Sequence, residues 1–270
     1  MDETKTKLGT KGQMNERLNI LQGSGVAIGA AVILAFGPLA QADEGKAAEK
    51  EWEITVGFDF YSEYVFRGVD ILANEPLYSP SASITWKGFS LWYWGGFGNS
   101  PGPDNTYEEN DYGADYTLTL LEEKLSITGG VLMYHYPDSI SGTDTYEVYG
   151  IVGYDTLLQP SVSVYYDFDE VGGAYLTFGI GHTFDLTEKV GLKEPMSWTI
   201  DPSAALSIDI KYNDDDTDFN DLLLGIGTTL QVTEYMELHA GFQLSIAMAN
   251  LHDIGQDHER IGNVGLSFSF

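Results

Sequence analysis

The chain has 270 residues, with 13 Lys and Arg against 41 Asp and Glu, a formal charge of −28. A field of that sign repels nucleic acid, and the absence of any Cys excludes disulfides, thiolate-bound zinc or iron–sulfur, and Cys acylation. The apolar share of 43% argues against disorder, and 31 Gly with 17 Tyr, in short alternating runs, point to strands and turns.

The first element is a targeting segment. Lys5, Lys7, Lys11 and Arg17 form a basic region ahead of an apolar stretch from Val26 to Leu39. That stretch contains Gly and Pro and is shorter than the roughly 20 residues a spanning helix needs. Ala40-Gln41-Ala42 follows as a cleavage pattern. Residues 1–42 therefore read as a signal peptide cleaved after about Ala42, with an uncleaved anchor or a start at Met14 as alternatives. Residues 43–51 read as a short periplasmic segment and 52–270 as one all-β domain.

From there the period is two. Ile54, Val56, Phe58 and Phe60 alternate with Thr55, Gly57, Asp59 and Tyr61. Tyr112 to Leu120 and Met236 to Ile246 repeat the pattern. Side chains alternate across a strand, so each segment has an apolar and a polar face. Twelve strands are expected, near 52–67, 76–87, 89–98, 108–121, 125–136, 145–155, 160–168, 174–185, 198–212, 219–232, 236–248 and 259–270. In a soluble sandwich the apolar face would be the core; in a membrane barrel it would meet lipid. Period alone does not separate the two.

Length and spacing favour the barrel. Most segments reach the 9–11 residues of a tilted spanning strand, and bacterial barrels use even strand numbers. Tight connections at Lys87-Gly88, Glu122-Glu123, Asp155 to Gln159 and Thr233-Glu234 alternate with longer ones at Asn99 to Tyr107, Pro137 to Asp144, Asn213 to Asp218 and Asn250 to His258. Thr187 to Ser197 breaks this rhythm. The chain ends on an alternating strand with Phe268 and Phe270 on its apolar phase, resembling the signal read by the barrel-assembly machinery. The expectation is an antiparallel up-and-down barrel of about twelve strands in the cell outer membrane, its outside in contact with lipid.

Tyr61-Ser62-Glu63-Tyr64-Val65-Phe66-Arg67-Gly68 resembles the opening motif of the TorF-type porin family. Gly88-Phe89-Ser90-Leu91-Trp92-Tyr93-Trp94, Glu109-Asn110-Asp111-Tyr112, Tyr134-His135-Tyr136-Pro137 and Tyr146-Glu147-Val148-Tyr149-Gly150 follow in the same order. The likeness covers residues 52–155 and implies a channel-like outer-membrane barrel, without naming a substrate.

With the apolar phase outward, the lumen would be lined by Asp59, Glu63, Arg67, Glu109, Asp111, Asp115, Glu147, Asp167, Glu237 and His239. Asp185, Asp201, Asp209, Asp221, Lys87 and Lys211 share that phase. An acidic lumen selects cations, so passive passage of small cationic solutes is expected. The bland alternative is cross-strand pairing in a plugged structural or adhesin-like barrel, with Glu63 and Arg67 bridged near the outer end. Trp86, Trp92, Trp94, Tyr93, Tyr64 and Phe66 read as interfacial girdles, with sugar stacking in the lumen as the alternative.

An outer-membrane lipid-modifying enzyme is a further alternative. His182 would be its outward His, but no Gly-x-Ser-x-Gly elbow accompanies any of the five histidines. No catalytic, cofactor-binding or metal residue is assigned. The acidic run Asp214 to Asp221 could hold Ca²⁺ but lacks the Gly and closing Glu of an EF-hand.

Overall fold

The computed structural model describes residues 52–99, 106–137 and 142–270. The signal peptide and the 43–51 segment lie outside the described residues.

In chain order the elements are β1 (Trp52–Tyr61), β2 (Val65–Phe66), β3 (Val69–Asp70), β4 (Leu77–Trp86), β5 (Phe89–Gly98), β6 (Tyr107–Leu120), β7 (Leu125–His135), β8 (Thr145–Tyr154), β9 (Ser161–Asp167), β10 (Ala174–Gly181), β11 (Phe184–Asp185), β12 (Ser197–Ile210), β13 (Thr217–Gln231), β14 (Met236–Ala247), the short helix α1 (Ala249–Asp253) and β15 (Glu259–Ser269). β1 and β4 to β10 pair antiparallel in succession, as do β12 to β15, and β10 pairs with β12. β1 pairs with β15 from Thr55↔Ser269 to Tyr61↔Asn263. The ring is closed: twelve antiparallel strands and no free sheet edge.

The phases separate as elementary solvation requires. Ile54, Val56 and Phe58 are 40–46% exposed on the outer face, and the same face continues through Leu91, Val131, Val148, Val164, Ile226 and Phe242. In water each such side chain would forfeit roughly 1.5–3 kcal/mol of burial. A hydrocarbon surround removes that cost, so the outer face is a lipid-contact face. Aromatic pairs close its inner edge: Trp52 stacks on Trp86 at 5.5 Å and Tyr235 on Phe270 at 6.2 Å. The amide of Phe270 donates to the Ile54 carbonyl, tying the last residue to the first strand.

Both ends of the described chain share one rim with the turns at Lys87-Gly88, Leu121 to Lys124, Asp155 to Pro160 and Val232 to Tyr235. Lys87 and Gly88 both have positive φ (50° and 84°), which a two-residue hairpin matched to strand twist demands. The segment 182–196 hangs from the same rim. The opposite rim carries the 62–76 segment, α1 and the remaining loops.

Two expected strands differ. The segment expected as 174–185 is interrupted between β10 and β11. His182 donates to the Pro202 carbonyl, but Pro202 has no N–H to return the bond. The first strand, expected to reach residue 67, leaves the wall after Tyr61. Residues 62–76 then fold inward across the lumen, and β2 and β3 form a small hairpin there.

Candidate functional site in the outer half of the lumen

The tip of the inward hairpin is Arg67-Gly68, with φ of 47° and 81°. Both residues are left-handed, the geometry of a two-residue hairpin turn. Gly68 suits it, and a Cβ there would collide with Leu251 Cδ1. Arg67 adopts it against its steric preference, a strain that persists only where surroundings over-determine the conformation.

Those surroundings are on the page. Arg67 Nη1 and Nη2 donate to Glu147 Oε1 and Oε2 at 2.8 and 3.0 Å. The guanidinium also lies 4.2 Å from the Tyr212 ring centroid, 4.9 Å from Tyr175 and 5.0 Å from Tyr165. Planar stacking and a bidentate pair suit arginine and not lysine. Glu147 further accepts from the phenols of Tyr134 (2.8 Å) and Tyr212 (2.9 Å). The Arg67 carbonyl accepts from Asn220 Nδ2 at 2.7 Å.

Asn220 faces inward because of a β-bulge. Between Leu206↔Leu222 and Ile208↔Phe219 the β12–β13 register shifts by one residue. Consecutive residues Asn220 and Asp221 are consequently both buried in the lumen, which regular alternation forbids. Asp221 accepts from Tyr175 and Ser245, each at 2.9 Å.

On the neighbouring wall Glu109 accepts three phenols: Tyr107 at 2.6 Å, Tyr64 at 2.8 Å and Tyr136 at 2.9 Å. Tyr64 belongs to the inward segment, so this carboxylate is a second anchor for it. Asp115 accepts from Trp92 Nε1 (2.9 Å) and Tyr149 (2.8 Å). Asp167 accepts from Thr145 at 2.6 Å and from the amides of Asp169 and Val171, capping the β9–β10 turn. Asp111 is fully buried beside Glu109 on the same strand face.

The remaining expected lining residues lie elsewhere. Asp59 meets His239 Nε2 at 2.6 Å, and Glu237 is 3.8 Å from His239 Nδ1. This group sits across the ring from β8. Glu63 is not on a barrel strand and does not bridge Arg67. It lies at the mouth near Asp70, Glu259 and Arg260, and burial together with the charge of Asp70 raises its pKa. The reason is the departure of the chain from the wall after Tyr61, which carries Arg67 to Glu147 instead. Lys87 and Lys211 are exposed in turns, so Arg67 is the one buried cation among the described residues.

The aromatics also need correction. Trp86 is exposed at the inner rim, and Tyr93 donates to Asn110 on the half-exposed outer phase. Trp92, Trp94, Tyr64 and Phe66 face the lumen, and they pack in or against one buried cluster with Leu72, Leu77 and six further tyrosines, Tyr107 and Tyr134 among them. Trp92 and Trp94 share the phase of Ser90, opposite Phe89 and Leu91, so strand parity marks them. No local signal marks Asn220.

Beneath the hairpin lies a cavity of about 120 Å³. It is walled by Arg67, Ser163, Thr177, Ser207, Asp221 and Ser245, among others. Its wall thus joins small hydroxyl side chains of β9, β10, β12 and β14 to Phe66, Tyr165 and Tyr175 of the aromatic cluster.

No family model and no curated protein matches this sequence. Among solved structures, the KdgM porin aligns at a TM-score of 0.53 and 14% identity, over 80% of this chain and 99% of that chain. The NanC porin aligns at 0.51 and 11% identity, over 80% and 98%. At such identity the likeness is one of fold, and the fold is that of a twelve-stranded, porin-type antiparallel β-barrel.

Proposed function

We propose that the protein is an outer-membrane porin that passes small hydrophilic solutes passively and prefers cations. The observation that carries this reading is the imbalance of buried charge in the lumen. Glu109, Asp111, Glu147, Asp167, Asp209 and Asp221 are buried there, with Arg67 as the single buried cation among the described residues. In a medium of low effective dielectric such an excess attracts positive charge over several ångströms. The hydroxyl-lined cavity beneath the hairpin supports a route along that side, with the hairpin narrowing its outer end.

The lipid-contact face and the porin-type fold support placement in the outer membrane, with export through residues 1–42 and folding by the barrel-assembly machinery. The motif around Arg67 supports the TorF-type resemblance within that reading. Catalysis has no part in it: His182 packs edge-on against Phe184 at 4.5 Å, with no cofactor required.

A second reading is a plugged barrel. It is favoured by the hairpin itself, which is fastened to β6 through Glu109, to β8 through Glu147 and to β13 through Asn220. Recording current across a planar bilayer under a KCl gradient separates the two. Discrete steps with a reversal potential favouring K⁺ are expected of the porin. Current with anion preference, or silence from inserted protein, would overturn it.

A further inference from the structure

The cavity beneath the hairpin carries chemistry that charge preference does not use. Ser163, Thr177 and Ser207 stand in direct register on β9, β10 and β12, and all three line it. Ser203 on β12 and Gln243 and Ser245 on β14 continue the polar lining. Ser163 is only 5% exposed, yet its hydroxyl has no hydrogen-bond partner among the described residues. The Ser203 hydroxyl and the Gln243 amide are unpartnered among them as well. Gly179 and Ala205 lie among these groups and bring nothing longer than a methyl, which keeps the space open. The facing surfaces are carbon: Val65 and Phe66 of the hairpin, Leu223 of β13 and Ile261 of β15.

This lining fixes the charge of what it can hold. Its one acid, Asp221, already accepts from Tyr175 and Ser245. Its one base, Arg67, is committed to both oxygens of Glu147. Neither is free to fix a charged ligand, and an anion would also meet the buried carboxylates of the lumen. Hydroxyls and an amide both donate and accept, so they match a partner that does the same. Carbon walls with a few placed polar groups suit an organic molecule. A water needs about 10–15 Å³ of such space, and the cavity of about 120 Å³ is far larger. We propose that this cavity is a binding subsite for a small neutral polyhydroxylated solute, of the class of a free pentose or hexose, with hydroxyls on Ser163, Ser203 and Gln243 and C–H surface on Val65 and Phe66; this rests on the porin reading and names a solute class for it. The acidic lumen then turns away the anionic, carboxylated forms of the same solutes.

The test uses protein purified from membranes of an expressing Gram-negative host and placed in nanodiscs. D-xylose and D-glucose are titrated and followed by saturation-transfer NMR, with D-glucuronate as the anionic counterpart. The expected result is saturable binding of a neutral sugar that D-glucuronate does not compete for. Ser163→Ala should weaken it by about three- to tenfold, the loss of one hydrogen bond. Ala205→Leu, which fills the cavity from β12, should abolish it. Ser126→Ala, which removes a β7 hydroxyl outside the cavity, should leave it unchanged. Absence of saturable binding, binding indifferent to both cavity variants, or equal binding of D-glucuronate overturns the subsite. If Ala205→Leu does not fold, Ser163→Ala decides. Sugar binding at this cavity in a barrel that carries no current in a planar bilayer would keep the subsite and refute the pore; cation-selective current without sugar binding would do the reverse.

Discussion

The Arg67 guanidinium and the Glu147 carboxylate, 80 residues apart in the chain, form a bidentate pair inside the barrel at 2.8 and 3.0 Å. Arg67 sits at the tip of a hairpin that is not part of the barrel wall, so this pair is the main electrostatic tie between the inward segment and β8. Breaking one side of a buried pair leaves the other charge uncompensated, at about 3–5 kcal/mol. Arg67→Ala should therefore destabilise the outer lumen by that order and raise single-channel conductance, read by thermal unfolding and bilayer recording. Replacing both residues by Met should recover much of the stability while keeping the larger conductance. Equal conductance in all three proteins would remove the hairpin from the pathway.

Asn220 offers a second handle. It joins the Arg67 carbonyl, the Tyr175 hydroxyl and Asn213. Asn220→Ala orphans these buried groups at roughly 1–3 kcal/mol. The barrel ladder of β12 and β13 does not depend on that side chain. The expected outcome is a wall that stays folded while the 62–76 segment becomes sensitive to added protease, judged by mass spectrometry of the fragments.

Gly68 cannot be replaced cheaply. Its φ is positive and a Cβ would press on Leu251 and Asn220. Gly68→Val should displace the hairpin from its seat against α1, while leaving the heat-modifiable migration typical of a folded barrel. A variant with wild-type conductance and protease resistance would contradict the seating described.

The mouth of the barrel should respond to pH. Burial and mutual repulsion raise the pKa of Glu63, and burial raises that of Asp70, with Glu259 and Arg260 facing Glu63. A carboxyl group whose folded-state pKa is raised favours the folded form most when protonated. That contribution is complete below the unfolded value and is lost as pH rises through the raised one. Hydrogen-exchange protection factors at Val65 to Asp70 should therefore fall as pH rises through and above the ordinary carboxylate range, and the fall should shrink in Glu63→Gln.

Charge selectivity can be mapped without touching the hairpin. Asp59 lies on the wall across from β8, paired with His239. Asp59→Asn should weaken the preference for K⁺ over Cl⁻, and the Asp59→Asn, Glu63→Gln double variant should weaken it further, both read from reversal potentials. Unchanged selectivity would place the ion path away from these residues.

Much of this molecule was decided by sequence alone, because its determinants are local. Period-two alternation assigns each side chain to a face, and turn chemistry such as Lys87-Gly88 sets where strands reverse. The twelve wall segments, the short-turn rim and the inward parity of Glu109, Asp111, Asp115 and Glu147 follow from those two rules. What only the tertiary structure decided depends on closure. Tyr64, Val65 and Phe66 read as more strand, yet the barrel offers them a lumen lined with phenols and carboxylates, and they turn into it. The partner of Arg67 lies four strands around the ring from the seat of Asn220, a distance set by barrel diameter and curvature. The β12–β13 bulge breaks the alternation from which parity is read, and so hid Asn220. A face can be assigned from one strand at a time; a contact across the lumen exists only once the ring is closed.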